Sequence, residues 1–423
     1  MKVVIGVVCS FFLAAVSSLD AQKDPGARTG QVLSGGPLRG LSTSERAMFQ
    51  KGLDTFTEVD GVANGLGPRF NLDGCAGCHA QPAVGGSSPA INPQVAVAIK
   101  AGARNTVPAF IQSDGPIRVV RFRRGADGRP DGGVHDLFVI TGRSDAPPAC
   151  AIKQPDFSQT QNLGFRIPAP VFGAGLIESI PDSALIANLA ANSARKQMLG
   201  IQGHFNTSGN DGTITRFGWK AQNKSLTIFS GEAYNVEVGV TNELFPQERE
   251  GDPACSVTVS PEDRSGVDGT TYSDVTMFSF FMRFSAPPIP SATNPSIDRG
   301  RATFDAIGCT MCHTPSLQSG KVASPALSGQ TVHLYSDLAL HNMGQALNDG
   351  ITQGQADGQE WRTAPLWGLG DRIFLLHDGR TKDLQAAIRL HDSQGSEAQQ
   401  VIVNFGALPP DQQQDVLNFL RSL

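Results

Sequence analysis

The chain has 423 residues, 34 Lys and Arg against 39 Asp and Glu, a formal charge of −5 and only 17% charged residues. With 40% hydrophobic residues it carries enough apolar surface to fold, which excludes a disordered chain, and the lack of a Lys/Arg block argues against nucleic acid as a partner. Gly (47) and Pro (27) are too frequent for a tight helical bundle, so long loops are expected between elements.

Residues 1–21 read as an export signal: Met1-Lys2 is the positive end, Val3 to Ser17 the apolar stretch, and cleavage is expected near Ala21 or, alternatively, near Ser18. An N-terminal membrane anchor is the competing reading. Cys9 would be lost with the signal, no run of 18 apolar residues follows residue 21, and no membrane span is expected after cleavage. The expected location is the periplasm of a bacterium, an oxidising compartment. Residues 22–41 are rich in Gly, Pro and polar residues and read as a flexible leader.

Ser42-x-x-Glu45 is a capping box that opens a helix through about Phe56, with Met48, Leu53 and Phe56 on one side. A Gly/Asn/Pro loop then leads to Cys75-Ala-Gly-Cys78-His79. Ile117–Phe122 and Leu137–Ile140 flank a turn-rich stretch, Gly125–Gly133, and predict a hairpin. Pro181-Asp182-Ser183 predicts a helix through about Met198. Asp274-Val-Thr-Met-Phe278 opens an apolar helix ending near Phe284, and residues 286–295 form a Pro-rich linker. Ser296-Ile297-Asp298 caps a helix carrying Ala302, Phe304 and Ala306, which leads through Gly308 to Cys309-Thr-Met-Cys312-His313. Asp415-Val-Leu-Asn-Phe419 opens the helix that ends the chain.

C-x-x-C-H is the attachment signature of c-type haem: two thiols add to the vinyl groups, and the following His is placed beneath the ring as iron ligand. One chance match is expected in roughly two of a thousand such chains, and here there are two. A thioredoxin-like pair would expect a βαβ context, and one zinc site using both pairs is uncommon in exported chains. Cys75, Cys78, Cys309 and Cys312 are therefore expected to hold two covalent haems, with His79 and His313 as iron ligands. Cys150 and Cys255 remain, and a disulfide between them would close a loop of about 105 residues. Each haem motif is preceded by one helix and followed, much later, by another. The fold expected is mainly α: two cytochrome c-like haem domains, residues 42–285 with a partly β insertion and residues 296–423 without one.

This arrangement resembles the di-haem oxidoreductase family, whose members are described as peroxidases. The matching phrases are Gly65-Leu-Gly-Pro-Arg-Phe-Asn71, Phe172-Gly-Ala-Gly-Leu-Ile-Glu-Ser-Ile-Pro181, Arg216-Phe-Gly-Trp-Lys-Ala221, Glu232-Ala-Tyr-Asn-Val-Glu-Val-Gly-Val-Thr-Asn242 and Leu376-His-Asp-Gly-Arg380. The family is distantly similar to bacterial di-haem cytochrome c peroxidases, in which one haem has an open face, the other is six-coordinate, a Trp lies between them and a Glu moves protons. The resemblance places Trp219 between the haems and gives Glu237 the acid–base role, although the relatives' Asn-Pro-Val-Glu-Met stands here as Asn235-Val-Glu-Val. The relatives carry a Met ligand fourteen residues after the His of His-Asp-Gly; counting from His377 reaches His391, with Met343 as the rival sixth ligand of the second haem. A His there should lower that haem's potential relative to Met.

The other histidines carry bland readings beside functional ones. His204 falls where the relatives have a detachable ligand, with a loop His as the default. His377 is expected to orient a loop or meet a propionate, and His135 to be structural. Calcium between the domains comes with the resemblance, but no acidic cluster in the sequence identifies a site. The function expected is peroxide reduction at the first haem, with electrons from a small redox protein or a quinol-linked donor relayed by the second. The alternative is a di-haem electron carrier without its own substrate.

Overall fold

The computed structural model describes residues 22–29, 34–267, 269 and 271–423; the expected signal at 1–21 lies outside the described residues. Helix makes up 32% and strand 10%, so the molecule is mainly helical. Among the described residues no helix is long and apolar enough to cross a membrane.

Helix Thr43–Phe56 opens as predicted: the Ser42 hydroxyl accepts from the Glu45 amide, and the Ser42 amide donates to the Glu45 carboxylate at 2.7 Å. It packs against helix Asp274–Phe284, capped by Ser273, and buries Phe49, Gly52 and Phe56 in the contact. Gly52 is the crossing point, since a Cβ there would strike the backbone of Met277 and Phe281. Helix Pro295–Ala306 meets helix Pro410–Ser422 in the same manner, with Gly300 against the backbone of Asp415. Each C-x-x-C-H thus follows a helix whose partner comes from much later in the chain.

Two apolar clusters grow around these crossings. The larger gathers Phe49, Phe56, Phe70, Phe138, Phe278 and Phe281; the other gathers Ile297, Phe304, Leu417, Phe419 and Leu420.

Several elements depart from the sequence reading. The helix expected through Met198 is broken: it runs Asp182–Ala190, turns at Asn192 with φ +56°, and resumes as Ser193–Leu199. The cap of the helix before the second motif is Asn294, because Pro295 suits the first helical position, where no amide partner is needed. The last helix starts at Pro410, five residues before Asp415, for the same reason.

The predicted hairpin is paired differently. Strand Val119–Phe122 lies between Val134–His135 and Leu163–Arg166 in an antiparallel sheet, while Phe138–Val139 pairs with Arg69–Phe70. Asp136 lies at the switch. Its carboxylate is buried, accepts from Asn71 Nδ2 (3.2 Å) and Arg249 Nη1 (3.0 Å), and turns the chain toward the first cluster.

Residues 22–29, expected as part of a loose leader, are tied to the C-terminal region. Asp24 accepts from Arg421 Nη2 at 2.6 Å and from the Leu384 amide at 2.7 Å; both partners of the ion pair are nearly buried, 5% and 4% exposed. Arg28 pairs with Asp371 at 2.7 Å. Cys150 and Cys255, both buried, are joined in a disulfide.

Two outcomes follow from these contacts. Gly300→Ala should cost about 1–3 kcal/mol, because the helices must move apart, and thermal unfolding should show it. Asp24→Ala should cost about 3–5 kcal/mol at pH 7, measured by denaturant titration, because Arg421 is left buried without a counter-charge. Burial pushes the Asp24 carboxyl up, but hydrogen bonds from Arg421, Gly26 and Leu384 outweigh it and hold the group below the ordinary 3.8. The ionic contribution is therefore complete above pH 3.8 and is lost as the pH falls through the folded value.

Candidate functional site

Eight histidines are present, and their hydrogen bonds sort them. In His79, Nδ1–H donates to the Gly86 carbonyl at 2.9 Å; in His313, to Tyr335 O at 3.1 Å; in His391, to Ala387 O at 2.8 Å. Each ring thus presents a free Nε2 lone pair, the tautomer that binds a metal. Burial pushes all three below the ordinary imidazole range, His313 to about 4, so the lone pairs stay unprotonated.

Four of the other five rings are engaged otherwise, and the fifth, His333, is exposed. His341 is held by Asp337 (3.0 Å) and Glu397 (2.7 Å). His204 meets Glu360 at 2.7 Å, and His135 meets Asp131 at 2.8 Å, a structural contact. His377 stacks face to face on Trp361, with ring centres 3.7 Å apart.

The four motif thiols are unbonded. Burial pushes the Cys75 thiol far up, helped by the Asp60, Asp274 and Glu237 carboxylates; burial and then Glu237 do the same to Cys78. Burial raises Cys309 to about 12 and also raises Cys312. Thiols held protonated in this way suit neither zinc nor thiol–disulfide exchange, both of which use the thiolate. They fit thiols consumed as thioethers, beside a His whose Nε2 is free.

The second motif opens into one apolar cavity. Cys309, Cys312, His313, His391 and Met343 all line it, together with Phe304, Leu366, Leu384 and Val401. His391 and His313 are near enough for the field of one to depress the other. The structure therefore gathers both proposed ligands and the rival Met343 on one cavity. A cluster of metal-type donors, Cys312, Asp337 and His341, touches the same wall, but it uses a motif thiol and is not the all-oxygen set calcium takes.

Trp219 forms part of that wall and donates Nε1–H to Ile167 O at 2.8 Å. The contact continues toward the first motif. The Ser87 hydroxyl donates to Pro168 O at 2.6 Å, and Gly86, beside Ser87, accepts from His79. Trp219 is thereby joined to His79 of the first motif through two short backbone links and three hydrogen bonds.

Glu237 lies at the first motif. Helix Leu226–Ala233 runs into a single π-turn, Tyr234–Val238, which ends at Gly239 with φ +85°. Such a turn re-aims side chains and is frequent at functional positions. Asn71 secures it: its amide donates to Glu237 O at 2.7 Å and its Nδ2 to Val236 O at 3.2 Å. Burial raises the Glu237 carboxyl to about 7; Arg121 and Arg249 pull it down, and Asp136 pushes it up.

Four residues escaped sequence reasoning. Trp361 is stacked against His377, with Lys220 Nζ 4.1 Å and Arg166 5.3 Å from its ring centre. Lys220 is fully buried and meets Asp349 at 3.4 Å; burial lowers it to about 8. Arg362 and Arg372 also line the cavity. Lys220 stands inside the Phe-Gly-Trp-Lys phrase, the one signal that could have drawn attention to it.

A family model described as "Di-haem oxidoreductase, putative peroxidase" matches residues 129–423, which contain the second C-x-x-C-H; the first lies ahead of the match. No curated protein matches the chain. Among solved structures it is similar to hydrazine synthase of Kuenenia stuttgartiensis, at 12% identity and TM-score 0.36 over 100% of both chains. It is similar to a MauG-like protein associated with microbial copper homeostasis, at 16% identity and TM-score 0.31 over 60% of this chain and 89% of that one. It is also similar to the diheme peroxidase BthA of Burkholderia thailandensis, at 13% identity and TM-score 0.31 over 69% and 90%. With 295 of its residues matched by the family model, the chain belongs to the di-haem oxidoreductase family and is an enzyme of that kind.

Proposed function

We propose that this protein is a periplasmic di-haem c-type oxidoreductase that reduces peroxide at the first motif and receives electrons at the second. Cys75, Cys78 and His79 would hold one haem, and Cys309, Cys312, His313 and His391 the other. When bound, the haems would supply the iron that exchanges electrons with peroxide. The observation that carries this reading is Glu237, a carboxyl on a π-turn within electrostatic reach of Cys75 and Cys78, with a pKa of about 7.

Glu237 would act as proton shuttle. Its carboxylate takes a proton from one peroxide oxygen and returns it to the other, so that the leaving oxygen departs as water. In sum, peroxide takes up two electrons and two protons and leaves as two waters. A group titrating near neutrality can do both halves of that transfer.

His391 is favoured over Met343 as sixth ligand because its ring is already turned, with Nδ1–H on Ala387 O and Nε2 free. Trp219 is favoured over Trp361 as the aromatic relay. Two cations over Trp361 favour its neutral ring, whereas Trp219 meets only the edge of His377, at 6.4 Å, among the described aromatic and cationic contacts. The disulfide between Cys150 and Cys255 supports an oxidising compartment. A small redox protein or a quinol-linked donor would supply the electrons.

Three measurements test this reading. Glu237→Gln should keep both haems by mass and lower peroxide turnover about 100-fold or more; unchanged turnover clears Glu237 of the role. In the unaltered protein, turnover should rise with pH through about 7 as the Glu237 carboxyl ionises, and the glutamine variant should lose that limb. His391→Ala should remove the low-spin signal of the second haem in electron paramagnetic resonance while Met343→Leu leaves it. The reverse result would make Met343 the ligand.

A further inference from the structure

Two cations in the cavity of the second motif have no counter-charge from the chain. Arg362 is 9% exposed; its Nε donates to Gly218 O at 2.9 Å, and its Nη1 lies 3.5 Å from Thr363 O. Arg372 donates through Nη2 to Pro365 O at 2.8 Å and to Trp367 O at 3.4 Å, while its buried Nε has no partner. Among the described residues, every acceptor of either guanidinium is a backbone carbonyl.

The four other arginines that are less than a tenth exposed are each paired with a carboxylate, whereas the half-buried Arg121 and Arg118 also have only backbone carbonyls as acceptors. Arg166 has Asp349 at 2.8 Å, Arg421 has Asp24 at 2.6 Å, Arg143 has Asp145 at 2.7 Å, and Arg216 has Asp182. The reason for pairing is general: an ion withdrawn from water without a partner costs several kcal/mol. Here two such ions sit together. Burial and then Arg372 depress Arg362 to about 10, and burial depresses Arg372 to about 10. Both face the cavity that Cys309, Cys312 and His313 line. Two adjacent guanidiniums suit a dianion with planar acceptors, because a guanidinium fork matches a carboxylate through two parallel hydrogen bonds.

We propose that Arg362 and Arg372 form the anion-binding wall of this cavity and take the two propionate carboxylates of the tetrapyrrole held by Cys309 and Cys312. The proposal rests on the covalent-haem reading of the second motif. Each arginine then acts twice. Its stem closes the cavity, and its positive charge makes the nearby iron easier to reduce. A free inorganic anion has the same acceptor chemistry, so the test must separate it from the propionates.

The test uses the exported, haem-loaded protein. Arg362→Gln and Arg372→Gln are compared with the parent by mass for haem load and by spectroelectrochemical titration for the two midpoint potentials. The second haem is the one whose spectrum answers to His391→Ala. Both variants should keep two covalent haems. The second potential should fall in each, and further in the double variant, while the first stays in place. Arg362→Lys and Arg372→Lys keep the charge and lose the planar fork. Their second potential should fall less, and the propionate bending band of that haem should shift in resonance Raman spectra.

If the glutamine variants fail to load haem, the lysine pair carries the test through that band. An unmoved second potential with an unmoved band, or a change confined to the first haem, overturns the proposal. A second potential that follows added phosphate in the parent also overturns it, because the wall would then be open to free anions. Absence of covalent haem at Cys309 and Cys312 in the parent would overturn the cofactor reading and this proposal together; an unmoved potential overturns the proposal alone.

Discussion

The constraint on which the molecule depends is the orientation of an imidazole. A ring that is to bind a metal must offer an unprotonated nitrogen in a fixed direction, and His79, His313 and His391 achieve this alike, by committing Nδ1–H to a backbone carbonyl. Each carbonyl must then be held. Gly86 O comes from a tight turn after the first motif, and Tyr335 O from a residue at φ +51°. Ala387 O lies one helical turn behind His391, so that ring is only as fixed as helix Leu384–Arg389. Asp383 caps this helix, accepting from Ala386 at 2.6 Å, and Asp24 takes the Leu384 amide. The chain's N-terminal part and its most distant ligand candidate are therefore one mechanical unit.

Charge is distributed unequally around the two motifs. Near the first, burial and then neighbouring carboxylates, Glu58 among them for both, raise Asp60 to about 7 and Asp274 to about 6. Near the second, the unpaired charges are the guanidiniums of Arg362 and Arg372. Carboxylates favour the oxidised state of a nearby metal and guanidiniums the reduced state. By themselves these charges make the second motif the easier site to reduce and the first the easier to oxidise. His391 as a ligand in place of a Met would lower the second site's potential and narrow that difference.

The parts of the fold legible in the sequence are those whose physics is local. The Ser42 capping box and the C-x-x-C-H pentapeptides each act within a few residues and stand where the sequence puts them, whereas Pro295 and Pro410 open their helices ahead of the positions read from the sequence. Features that depend on distant partners are not visible there. Asp24 and Arg421 stand 397 residues apart, and nothing in the Gly/Pro-rich leader marks one aspartate as a buried anchor. The pattern around residues 117–122 suggests Leu137–Ile140 as strand partner, because the burial of Asp136 between the two short strands depends on Asn71 and Arg249, which are distant in the sequence. Trp361 carries no sequence signal at all; its meaning lies in His377 stacked on it and two cations beside it. Glu237 is legible by its phrase, but the π-turn that aims it is not, since such a turn differs from an α-turn by one extra residue.

The connection between the motifs shows why small residues stand where they do. The link from His79 to Trp219 passes through the carbonyls of Gly86, Pro168 and Ile167 and the hydroxyl of Ser87, and every hydrogen bond in it is 2.9 Å or shorter. Gly86 has no freedom to carry a side chain, because a Cβ there would strike the carbonyl of Gln81. Pro168 has no amide proton to divert its neighbours into a strand ladder, which leaves its carbonyl free for Ser87. A path built on main-chain atoms keeps its geometry when surface side chains move. The cost of such a path is that Ser87, buried and small, has no substitute of equal reach: alanine would remove the middle hydrogen bond and leave the Pro168 carbonyl without its donor.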